Sequence, residues 1–133
     1  MGTGIMICGM NGSGKSTIGK ALAERLNFRF IDNENLYFQR SGPNEPYGTG
    51  RTKEEVITLL MEEVQRYPDF VFVAVRGDYG QDILPLYNYI ISVEVPRETR
   101  LERVRNRSYM KFGERMLPGG DLYEKEEQWF KLV

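Results

Sequence analysis

The run Gly9-Met10-Asn11-Gly12-Ser13-Gly14-Lys15-Ser16 has the spacing G-x-x-x-x-G-K-[ST], a pattern that cradles phosphate with backbone N–H groups. Glycines at 9, 12 and 14 permit backbone angles and close approaches that a side chain would block, so successive amides can converge on phosphate oxygens. The start of the following helix adds partial positive charge. Lys15 is placed to span the β- and γ-phosphates, the Ser16 hydroxyl to ligate Mg²⁺, and Thr17 to assist beside it. Gly9, Asn11, Gly12, Ser13, Gly14, Lys15, Ser16 and Thr17 are therefore the candidate contacts to a nucleotide, with Mg·ATP as the expected cofactor.

Elements able to position this loop are legible on both sides of it. Ile5-Met6-Ile7-Cys8 reads as an apolar strand, and Ile18, Ala21, Leu22 and Leu26 form an i, i+3, i+4, i+8 stripe that could pack a helix on a sheet. A second strand, Phe28 to Ile31, ends in Asp32, and the Asn-, Gly-, Pro- and Tyr-rich stretch from Asn33 to Gly50 reads as a substrate-facing loop. Within it, Glu34-Asn35-Leu36-Tyr37-Phe38-Gln39 matches the hexapeptide of a tag-removal protease site, but its register with Asp32 reads as native chain. Thr52 with Glu55 has capping-box spacing, and Val56, Leu59, Leu60, Val64 and Tyr67 continue at helical period until Pro68.

Phe70 to Val75 is an unbroken apolar run, expected of a strand buried on both faces. Tyr89 to Val95 predicts a fourth strand, Pro96 to about Arg107 a helix with Leu101 and Val104 inward, and Asp121 to Val133 a last helix. Strands alternating with helices predict an α/β fold, a doubly wound parallel sheet flanked by helices with right-handed crossovers. The 133 residues read as a single domain, 1–133, with no internal repeat or linker.

Composition narrows the chemistry. The chain has no histidine and one cysteine, Cys8, which excludes histidine triads, His-ligated metals and an intrachain disulfide. Proton transfer must fall to Asp, Glu, Lys, Tyr or water. Cys8 reads as a small core residue of the first strand. A net charge of −1 gives no overall drive toward nucleic acid, although residues 97 to 115 hold seven Lys/Arg against Glu98, Glu102 and Glu114. No apolar run approaches the roughly 20 residues needed to span a bilayer, and the N-terminus lacks the order of a signal peptide. A cytoplasmic enzyme with no membrane or nucleic-acid partner is expected.

The stretch Gly9 to Leu26, followed by Phe30-Ile31-Asp32, resembles the small P-loop kinases, in particular the shikimate and gluconate kinase group of the nucleoside-monophosphate-kinase-like fold. It is also similar to bacterial proteins labelled AAA-family ATPases, a likeness that extends through Arg105-Asn106-Arg107-Ser108-Tyr109 and Lys111 to Glu124. The resemblance implies a P-loop NTPase fold whose sheet has a fifth strand beyond the four legible here, so the chain reads as C-terminally truncated.

By the same resemblance Asp32 contacts the phosphate acceptor or acts as general base, and the region of about 97–120 is a lid over ATP. Arg103 and Arg107 there serve the transferring phosphoryl group, with Arg115 and Arg100 in support. The position of Asp32 at a strand's carboxyl end points independently to ligand contact. Asp78 is a candidate for the magnesium shell and, with Arg76, for substrate binding. The expected activity is transfer of the terminal phosphate of Mg·ATP to a small polar metabolite or nucleotide. The alternative is a nucleotide-binding regulatory ATPase or switch without such an acceptor.

Overall fold

In a computed structural model of the chain, residues 2–37, 50–76 and 79–133 are described. The chain packs as two compact units, Met1–Gly9 with Lys15–Ser92 and Met10–Gly14 with Val93–Val133. The second unit has its own apolar cluster, which is why it separates.

The first unit is the sheet and its helices. Strands β1 (Gly4–Gly9), β2 (Arg29–Asp32), β3 (Phe70–Ala74) and β4 (Tyr89–Val93) lie in the order β2-β3-β1-β4. β3 pairs in parallel with β1, Ile5 opposite Val71 and Cys8 opposite Ala74, and with β2, Asp32 opposite Val73. All five β3 residues are buried, as an unbroken apolar run demands of a strand covered on both faces. Phe70, Phe72, Met6, Ile31, Leu60, Val64 and Ile83 form the core, with Tyr79 edge-on to Phe72 at 6.0 Å between ring centroids. Cys8 is only partly buried, packed on the margin of this core.

Helix α1 (Lys15–Leu26) meets the sheet through a different face from the one its apolar stripe predicts. Gly19 and Ala23 are its buried residues, whereas Ile18 and Leu26 are exposed. Close approach explains this. A Cβ on Gly19 would collide with Val73 Cγ1 and stand 3.2 Å from Phe30, so small residues let the helix backbone settle on the strands.

A short helix, α2 (Asn33–Tyr37), begins the stretch expected to be loop, and its Leu36 packs on the core. The remainder of that expected substrate loop, residues 38–49, lies outside the described residues. Helix α3 (Lys53–Arg66) opens on the expected capping box: Glu55 N donates to Thr52 Oγ1 at 3.2 Å, and Thr52 N to Glu55 Oε1 at 3.1 Å. Val56, Leu60 and Val64 are buried, while Tyr67 stays exposed beneath the Arg29 guanidinium at 4.5 Å.

The second unit comprises α4 (Arg97–Phe112), a 3-10 turn over Gly113–Met116, and α5 (Tyr123–Leu132). Val104, Met116, Phe130 and Val133 are its core, joined by Leu101, Phe112 and Trp129. Helix α4 runs past Arg107, where the sequence pattern was expected to end. The inward row Leu101, Val104, Ser108, Phe112 continues through a polar residue because Ser108 Oγ donates to the fully buried Glu126 Oε2 of α5 at 3.4 Å.

After α4 the chain folds back. Leu122 N donates to Arg115 O at 2.8 Å, and Arg115 donates through Nε and Nη2 to both carboxylate oxygens of Asp121, at 3.0 and 2.8 Å. The hydrogen bond from Arg115 holds the Asp121 carboxyl below its usual range. A carboxylate with a lowered folded pKa contributes above its unfolded pKa and loses that contribution as pH falls through the folded value. The fork should therefore be intact at neutral pH and open in acid, below the ordinary aspartate range. An NMR titration of Asp121 should show its midpoint move up in Arg115→Gln; an unmoved midpoint would remove the fork as the cause.

Candidate active site

Parallel pairing brings the carboxyl ends of β1, β2 and β3 to one edge of the first unit, the edge where open α/β sheets bind ligands. β1 runs into the glycine loop, β2 ends on Asp32, and β3 leads to Arg76, which lies exposed two residues beyond the strand. Asp78 lies outside the described residues.

The loop has the backbone its glycines predict. Gly12 has φ +83° and Gly14 φ +90°, both in the region that L side chains avoid. Ser13 N donates to Met10 O at 3.1 Å, closing a turn between them. Ser13 is 3% exposed, and its Oγ is a buried hydroxyl without a hydrogen-bond partner, an unmet polar group of the kind a bound anion would satisfy. Lys15 and Ser16 open α1, and Thr17 is exposed on its first turn.

Ser16 Oγ donates to Asp32 Oδ2 at 2.9 Å, while Asp32 Oδ1 accepts from Glu34 N at 3.0 Å. One oxygen thus caps the turn into α2, as aspartate commonly does, and the other is held at the hydroxyl assigned to magnesium. The sequence reading offers Asp32 as acceptor contact or general base, or as a cap on the turn that follows, and does not pair it with Ser16. No sequence signal ties residues 16 positions apart across a helix and a strand, so this pairing was not legible.

In the second unit Arg103 Nη1 donates to Gly12 O at 3.1 Å. Arg107, four residues on, is exposed and makes no hydrogen bond or ion pair among the described residues. Glu98 and Glu102 pair with neither of them. The α4 ion pair runs instead from Arg105 to Glu127 at 3.1 Å. Arg115 is committed to Asp121, and Arg100 Nε donates to Val95 O at 3.0 Å.

Residues 5–128 match the AAA domain family, and a shikimate kinase from Sulfurihydrogenibium sp. (strain YO3AOP1) is 50% identical over 116 residues, 77% of this chain and 66% of that protein. The chain belongs to the AAA domain family and is similar to small P-loop kinases of the shikimate kinase type. The uncharacterized protein YqaC of Bacillus subtilis (strain 168) is 27% identical to this chain over 131 residues, covering 96% of the chain and 71% of YqaC. A gluconokinase from Sinorhizobium meliloti 1021 superposes with TM-score 0.56 at 20% identity, over 80% of this chain and 65% of that one, a likeness of fold. The α/β P-loop architecture read from the sequence is therefore the architecture of the family. Among the described residues, no helix is long and apolar enough to cross a membrane.

Proposed function

We propose that this chain carries the phosphate-transfer site of a small-molecule kinase that moves the terminal phosphate of Mg·ATP to a small polar metabolite or nucleotide. The observation that carries the reading is the Ser16–Asp32 hydrogen bond at 2.9 Å, which sets a hydroxyl and a carboxylate side by side at the end of the phosphate loop. Mg²⁺ takes one or two carboxylates together with phosphate and water oxygens, and these two hard-oxygen groups fit it. Ser16 would hold the metal directly, with Asp32 on it or on its water shell. The metal, when bound, neutralises charge on the phosphates.

The chain's own residues do the rest. Loop amides and the buried Ser13 hydroxyl receive phosphate oxygens, and Lys15 spans the last two phosphates. Asp32 orients the acceptor hydroxyl from the carboxyl edge of the sheet, and Arg76 and Asp78 are the further candidates for acceptor contact. Arg107 supplies a fork-shaped donor to oxygens that gain charge during transfer. Kinase names among the relatives support the reaction class.

The test is transfer of labelled terminal phosphate from Mg·ATP to a panel of metabolite acceptors, with water alone and Lys15→Ala as controls. Label on one acceptor class establishes a kinase and names its substrate type. Release only as inorganic phosphate would replace this reading with an ATPase or switch. Arg107→Ala is expected to lower turnover by about 10-fold or more with little change in ATP affinity, because its interaction is proposed for the transition state. A change confined to affinity would remove Arg107 from that role.

A further inference from the structure

We propose that Arg103 is a positioning residue for the phosphate loop itself, a brace that fixes the peptide unit between Gly12 and Ser13. In a trans peptide the C=O and N–H point in opposite directions, so holding one aims the other. Here both ends are held. The Gly12 carbonyl accepts from Arg103 Nη1 at 3.1 Å, and the Ser13 N–H donates to Met10 O at 3.1 Å.

Gly12, at positive φ, leaves one side of this peptide with backbone freedom that a side chain would remove. A peptide beside such a residue can rotate readily, and its rotation would re-aim the amides that follow. Arg103 opposes that rotation from outside the loop. The same nitrogen stands 3.8 Å from where a Cβ on Gly14 would lie, which puts the guanidinium over the middle of the loop.

The seat on α4 is built as well as bonded. A Cβ on Gly12 would stand 2.5 Å from Arg100 O and 2.9 Å from Arg100 Cα, so the helix backbone fills the space beside the glycine. Arg100 secures that turn of the helix through Nε to Val95 O. Residues 10–14 accordingly pack with α4 and α5 as one compact unit. Arg103 therefore acts through the Gly12 carbonyl, a role separate from contact with a phosphoryl group.

The inference rests on the reading of residues 9–16 as a phosphate site, but its first test needs no nucleotide. Amide hydrogen exchange of the loop is compared in wild type, Arg103→Met, which keeps an unbranched apolar stem without a donor, and Arg103→Lys, which keeps a charged donor. Exchange at residues 12–14 is expected to rise about 10-fold in Arg103→Met, matching loss of one charged hydrogen bond, and to stay near wild type in Arg103→Lys. Unchanged exchange in Arg103→Met would overturn the brace.

The second arm measures affinity for ADP, which has no phosphoryl group in transfer. The brace predicts about 10-fold weaker binding in Arg103→Met with recovery in Arg103→Lys. Weakened binding with unchanged exchange would make Arg103 a direct nucleotide contact and end the positioning role. A wild-type protein that binds no nucleotide would fail the kinase reading, while the exchange comparison still decides the brace.

Discussion

Phosphate transfer is expected to fall by about 100-fold or more when Lys15 is replaced by alanine, a loss of about 2.7 kcal/mol of transition-state stabilisation. Lys15 follows the positive-φ Gly14 directly and is the first residue of α1. Its ammonium is the one side-chain cation inside the phosphate motif, so alanine removes charge where the transferred group gains it. The fold should survive, since alanine is a good helix former and Lys15 lies outside the core. Single-turnover kinetics with labelled ATP, alongside circular dichroism, separates the two effects. Turnover equal to wild type would sink the loop mechanism, however well the variant bound ATP.

The largest stability effect is expected at Phe72. This side chain is fully buried in β3, the strand between β2 and β1, with Tyr79 against its edge. Truncation to alanine deletes a ring from a packed interior and leaves a cavity, at a cost of about 3–5 kcal/mol. Against a total of about 5–15 kcal/mol for a domain, that removes much of the folded state's margin. Urea denaturation should show the midpoint fall with little change in slope. Ile90→Ala is the matched comparison: Ile90 is 65% exposed on β4, an edge strand, and its loss should cost less than about 0.5 kcal/mol. Equal losses at the two sites would contradict the burial described for the sheet.

Local signals carried much of the architecture. The glycine loop between strand and helix, the Thr52–Glu55 box and the continuous apolar run of β3 each have a physical cause that acts within a few residues. Errors arose where partners distant in sequence decided the outcome. Helix α1 turned its glycine and alanine inward because the β3 and β2 side chains left room for nothing larger. Helix α4 outran its expected end because a buried glutamate on α5 satisfies Ser108.

The site divides in the same way. Its loop residues were legible as a motif, and α4 as a carrier of arginines. Which arginine does what was not legible, because Arg115 finds Asp121, Arg103 finds a loop carbonyl, and Arg107 finds neither. Likewise Asp32 stood out as a strand-end acid, but its grip on Ser16 depends on how β2 and α1 come together.

The hydrogen bond from Arg103 to Gly12 joins residues 91 positions apart, and that separation has a temporal meaning during synthesis. At roughly 5–20 residues per second, the glycine loop waits about 5–18 s after it is made before its brace exists. Over that interval β1 to β4 can be completed while the middle of the loop has no α4 to rest on. A nascent chain should therefore acquire a firm hold on nucleotide only after the arginine helix has left the ribosome.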